Sequence, residues 1–120
     1  MKYIKRILSA VLVLGLFTQI PSPSPAQEQI RTIEIRAHRF SFSPSEITLK
    51  KGETVKLHLV SDDVTHALLV PGLQIKQVVS KGHPADITVT PTSVGDFPGQ
   101  CGSFCGSGHG SMLFTVHVEE

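Results

Sequence analysis

The amino-acid sequence predicts an all-β fold, a Greek-key β-sandwich, and three observations carry that expectation. Apolar residues alternate with polar ones in short runs, the spacing of a strand with one buried face. Clusters of Pro, Gly and Ser separate those runs and supply turn chemistry. Beyond position 26, no stretch of ten residues repeats with the 3.6 period of a helix. Seven or eight short strands in under 100 residues suit a sandwich of two sheets.

Taken in order, Thr32 to Arg36 alternates, with Ile33 and Ile35 on one face. Glu46 to Lys50 offers Ile47 and Leu49. Thr54 to Val60 sends Val55, Leu57 and Leu59 one way and Lys56 and His58 the other. His66 to Val70 and Leu73 to Val79 are more apolar, and Ile87 and Val89 mark a further strand. Met112 to Val118 closes the series, with Phe114, Val116 and Val118 facing inward. Turns are expected at Ser43-Pro44-Ser45, Lys51-Gly52-Glu53, Pro71-Gly72, Lys81 to Pro84 and Pro91-Thr92-Ser93.

Residues 1–26 stand apart from this pattern. Lys2, Lys5 and Arg6 precede an apolar stretch from Ile7 to Ile20, and a Pro/Ser segment then leads to Ala26. That is the pattern of a secretory signal, with cleavage expected between Ala26 and Gln27. The alternative is an uncleaved anchor, although 14 residues fall short of the ~20 that span a bilayer. The expected location is periplasmic or otherwise exported, with residues 27–120 forming one domain. Three cations leave with the signal, so 8 Lys/Arg face 10 Asp/Glu and the net charge falls to about −2. Nothing in that balance suggests nucleic acid, and no polybasic run or amphipathic helix suggests a membrane surface. A monomer is expected.

The informative segment runs from Gly99 to Met112. It holds both cysteines, Cys101 and Cys105, together with His109 and the only methionine beyond the signal, Met112. Five glycines in these 14 residues leave the backbone free to wrap a small ion. Two thiolates, an imidazole and a thioether form a soft donor set, which selects copper over harder metals. Three other readings compete. A Cys101–Cys105 disulfide would suit an oxidising compartment, but it needs neither His109 nor Met112 and closes too small a loop to stabilise much. Structural zinc matches the Cys-x3-Cys-x3-His spacing, yet no clear fourth ligand stands nearby. A mononuclear blue-copper site would use Cys105, His109, a distant histidine and Met112, leaving Cys101 without a purpose.

The spacing Cys-x3-Cys-x3-His-x2-Met resembles the ligand loop of CuA domains, found in cytochrome c oxidase subunit II and nitrous oxide reductase. Asp63-Val64-Thr65-His66 and nearby Pro71 resemble the segment that supplies that family's first histidine. The resemblance runs loosely from Phe40 to Val118 and is sharp at these two segments. It implies a cupredoxin-like domain with two copper ions bridged by Cys101 and Cys105. His66 and His109 would each cap one ion. Met112 would be a weak ligand to one, and the backbone carbonyl of Ser103 a weak ligand to the other. Ser103 stands where subunit II usually carries a glutamate; a backbone carbonyl survives that change. The transmembrane hairpin of subunit II is missing from the sequence, and so is any tryptophan.

Among the other histidines, His58 and His117 fall on outward faces of their strands and His38 has no partner in sequence. His83, in a turn, competes with His66 as the distant ligand. Asp62 and Asp63 read as turn residues, with a contact to His66 the alternative role. The expected function is electron transfer through a binuclear copper centre, with a redox partner such as a c-type cytochrome. The alternative is a copper chaperone or storage protein, whose partner would be a copper donor or acceptor. With no acid–base pair or nucleophile in evidence, catalysis is expected at most as the electron-transfer component of an oxidase or reductase.

Overall fold

A computed structural model describes residues 14–22 and 29–120. The basic start of the expected signal and its Ala26–Gln27 bond lie outside the described residues.

Among the described residues nine strands form two sheets, where the sequence predicts seven or eight. Strands β1 (Arg31–His38), β2 (Ser41–Ser43), β4 (Val55–Ser61) and β7 (Ala85–Val89) make one sheet, in the order β2-β1-β4-β7. The other sheet has the order β3-β9-β8-β5-β6. Its members are β3 (Glu46–Lys50), β5 (His66–Val70), β6 (Ile75–Val79), β8 (Gly95–Cys101) and β9 (Leu113–Glu119). Pairings β1–β4 and β3–β9 are parallel and the rest antiparallel. The chain therefore crosses repeatedly between sheets, as a Greek key requires.

The period-two pattern decides what lies between the sheets. Val55, Leu57 and Leu59 of β4 are buried, while Lys56 and His58 point outward. Phe114, Val116 and Val118 of β9 face them from the second sheet together with Leu49, Leu68 and Val70. Phe42 and Phe114 meet edge to face with ring centres 5.8 Å apart, an arrangement aromatic pairs favour. Sandwiches built this way carry their core in the alternating inner residues of both sheets.

Three local features depart from the expected strands. β8 and the short β2 are additional, and β8 hides well: it contains two glycines and Pro98, residues that argue against an interior strand. Pairing between β8 and β5 is confined to Leu68↔Cys101 and Leu69↔Gln100, so at Pro98 the only flanking strand is β9. Leu73 does not open β6. Pro71–Leu73 instead form a 3-10 turn that ends with Gln74 in the left-handed region, and Gly72 leaves space there for the Phe97 ring. Met112 likewise falls just before β9, after a 3-10 turn at His109–Ser111.

Outward histidines pair across strands. His58 bonds Asp86 of β7 and His117 bonds Asp96 of β8, each at 2.6 Å. The hydrogen bond to Asp96 is the largest cause raising the His117 imidazole above its ordinary value of 6.5. A raised folded value means the stabilisation is complete below about 6.5 and is lost as pH rises through the folded value. Titration of His117 by proton NMR should show the raised value in the native chain and a return toward 6.5 in Asp96→Asn. An unchanged titration would show that the pair does not form in solution.

The two ends of the sandwich differ. Arg31, where β1 begins, bonds Thr48 O and Glu53 at one pole. The Lys51 N–H reaches Glu119 O at the end of β9, so both ends of the domain meet there. β1 and β4 run parallel from this pole to His38 and Ser61 at the other. The loop joining β8 to β9 lies at that second pole.

Candidate metal centre

Three strand ends, and the loop between two of them, deliver the donors. His66 opens β5, Cys101 closes β8, and Met112 precedes β9. The Cys101 N–H donates to Met112 O at 3.1 Å and the Gly102 N–H to Ala67 O at 2.8 Å, which pins both feet of the loop to the sheet. Cys101, Cys105, Met112 and His66 are buried, and His109 is half-buried.

Around this pocket the distances are short. The two thiol sulfurs stand 3.8 Å apart, and Cys101 Sγ lies 3.9 Å from His66 Nδ1. Cys105 Sγ lies 3.8 Å from His109 Nδ1 and 3.3 Å from Met112 Sδ. The Cys101 thiol donates to the Ser103 carbonyl at 3.0 Å. Donor atoms of His66, Cys101 and Cys105 all fall within 4.8 Å of one another. All six donors of the expected set thus converge. His83 lies exposed in its turn and belongs to no metal-ligating cluster among the described residues.

The donor chemistry fits a soft ion. Thiolate–metal bonds of ~2.3 Å let one ion reach both sulfurs across 3.8 Å, whereas a disulfide needs ~2.05 Å. Burial, and then the Cys101 thiol beside it, push the Cys105 thiol above its usual range. Metal binding must therefore displace protons that the site otherwise keeps.

Behind the donors lies a supporting layer that sequence reasoning saw in part. Asp63 Oδ1 accepts from His66 Nε2 at 2.7 Å, leaving Nδ1 facing Cys101. A metal-bound histidine is commonly oriented by such a partner. Burial would raise the Asp63 carboxyl, but hydrogen bonds from His66 and the N–H groups of Arg39 and Val64 outweigh it and hold it down to about 2. Asp62, by contrast, points away and pairs with Arg36 at 2.7 Å. Phe40 was not anticipated at all. A Cβ on Gly106 or Gly108 would overlap its ring, so those two glycines let the loop close beneath it. Phe104, 80% exposed, leans on His109 with ring centres 5.9 Å apart.

Sandwich and donor cluster together define a class: a small β-sandwich domain whose soft sulfur and imidazole donors gather at one end, most of them in the loop between its last two strands. Within that class the chain belongs to the cupredoxin-like domain family, whose model matches residues 7–113. It is similar to a probable cytochrome c oxidase subunit 2 of Streptomyces avermitilis, 44% identical over 70 residues, 58% of this chain and 22% of that protein. The match thus spans about a fifth of that relative's length. Cytochrome c oxidase subunit 2 of Thermus thermophilus is 28% identical over 106 residues, covering 83% of this chain and 78% of the relative. Among solved structures, the periplasmic domain of subunit II of cytochrome oxidase from Bradyrhizobium japonicum superposes with a TM-score of 0.69 at 18% identity. That likeness covers 75% of this chain and 84% of the other, and shows a common fold.

Proposed function

We propose that residues 27–120 form an exported electron-transfer domain holding two copper ions. Cys101 and Cys105 would bridge them, His66 and His109 would cap one ion each, and Met112 and the Ser103 carbonyl would complete the set. The observation that carries this reading is the donor count. Two four-coordinate ions need eight bonds. Two shared sulfurs supply four, and two imidazoles, a thioether and a carbonyl supply the other four. A single four-coordinate ion would leave donors buried with nothing to bind.

Copper bound there would supply a one-electron couple, which the shared thiolates would spread over two metals. The chain's own residues do the rest. Asp63 fixes the ring of His66, the strand ends hold Cys101 and Met112 together, and burial of both sulfurs excludes water. Rigid donors keep bond lengths similar in both oxidation states, which is what fast electron exchange requires. The partner would be a redox protein such as a c-type cytochrome. Similarity to oxidase subunit 2 supports an electron-transfer role, and the signal-like residues 1–26 support export. No helix among the described residues is long and apolar enough to cross a membrane.

Copper analysis of the purified chain, with electron paramagnetic resonance, tests the reading. Two coppers per chain and one unpaired electron shared by two copper nuclei are expected. One copper per chain with a single-nucleus hyperfine pattern would refute it. Rapid loss of copper to an acceptor protein, without reversible redox cycling, would favour a chaperone instead.

A further inference from the structure

Arg39 lies outside both ligand segments, in the turn between β1 and β2, yet it touches each of them. Its backbone N–H donates to Asp63 Oδ2 at 2.7 Å. The other oxygen of that carboxylate holds His66. Its side-chain Nε donates to the carbonyl of Cys105 at 3.1 Å, across 66 positions of sequence. Cys105 is the residue whose sulfur approaches Cys101, His109 and Met112 at 3.3 to 3.8 Å. The backbone it anchors is permissive: Gly106 follows in the left-handed half of conformational space, with φ +139, where only glycine moves freely. A guanidinium bond to a carbonyl is charge-assisted and stronger than a neutral one.

We propose that Arg39 is a positioning residue that clamps Cys105 and, through its charge, sets the reduction potential of the centre. The proposal rests on the copper reading above. When one electron enters from a one-electron donor, the bridged site becomes more negative by one unit. A fixed cation at the loop stabilises that reduced form more than the oxidised one. Asp63 carries the opposite charge but points its oxygens at His66, Val64 and the Arg39 backbone. The remaining guanidinium donors have no protein partner among the described residues, and the side chain is exposed. Arg39 can therefore be replaced without opening the core.

The test compares the native chain with Arg39→Gln and Arg39→Lys, each with and without copper. In the copper-loaded proteins, Arg39→Gln should shift the redox equilibrium roughly tenfold toward the oxidised form, ~59 mV for one electron. Arg39→Lys, which keeps the charge, should recover most of that shift. In the metal-free proteins, hydrogen exchange at the His109 and Ser111 amides, bonded within the loop, should accelerate about tenfold in Arg39→Gln. A potential unmoved in Arg39→Gln would overturn the proposal even if the melting temperature fell, because Arg39 would then serve the fold alone. Unchanged loop exchange would equally overturn the clamp. If the native chain takes up no copper, the copper reading and the redox half fall together; copper uptake with an unmoved potential sinks only the role of Arg39.

Discussion

Cys105→Ser is expected to abolish the proposed binuclear centre, reducing copper from the proposed two ions per chain to one or none. Cys105 sits at the middle of the donor set, within 3.8 Å of Cys101 Sγ, His109 Nδ1 and Met112 Sδ. A hydroxyl oxygen is a hard and feeble donor for a soft ion, and it cannot spread an electron over two metals as sulfur does. Cys101→Ser should do the same. Met112→Leu is the contrast: a thioether is a weak, tunable ligand, so copper should stay while the potential moves. Metal analysis and paramagnetic resonance on the three variants decide the matter. A serine variant that keeps two coppers and the shared-electron signal would show that the thiolate it lacks does not bridge.

Copper should also raise the melting temperature by at least ~10 °C. The donors of the β8–β9 loop meet His66 at the start of β5 only on folding, so the unfolded chain offers no comparable site. Binding to the native state alone contributes about 4 kcal/mol at a thousandfold excess over Kd. In a domain of this size ~1 kcal/mol moves the midpoint by roughly 4–8 °C. The metal-free chain should nevertheless fold, because the buried residues of β1, β4, β5 and β9 form a core without any ligand. Calorimetry under reducing conditions, which prevents a Cys101–Cys105 disulfide, separates the outcomes. Equal midpoints with copper shown to be bound would break the coupling of loop to fold, and an unfolded metal-free chain would deny the preformed site.

What could be read from sequence follows from how local the signal is. The alternation in β4 and β9 needs no partner to be recognised, and both strands emerge with the expected faces inward. β8 escaped because its glycines and Pro98 suppress the pattern, and its place depends on β9 alone at that point. The donor loop was legible for the same reason as β4: Cys101, Cys105, His109 and Met112 lie within one short segment. His66 needed a family resemblance to rank it above His83. Arg39 and Phe40 were invisible, since their contacts with Cys105, Gly106 and Gly108 span more than sixty positions. Asp63 fell between, close to His66 in sequence yet indistinguishable from Asp62 without coordinates. Only the side-chain directions separate them, one toward the imidazole and one toward Arg36.

The meeting of Arg31, Lys51 and Glu119 at one pole has a practical consequence for handling the domain. Both attachment points are remote from the donor loop, by about the length of β1, ~26 Å for its eight residues. A tag, a fused neighbour or a surface linker at either end therefore leaves the opposite face open to a diffusing protein. Tethering by either end orients every copy alike, loop outward, so an immobilised layer would present a uniform face. The same closeness of the ends suits a short peptide joining Glu119 back to Arg31, with new termini opened in a turn elsewhere.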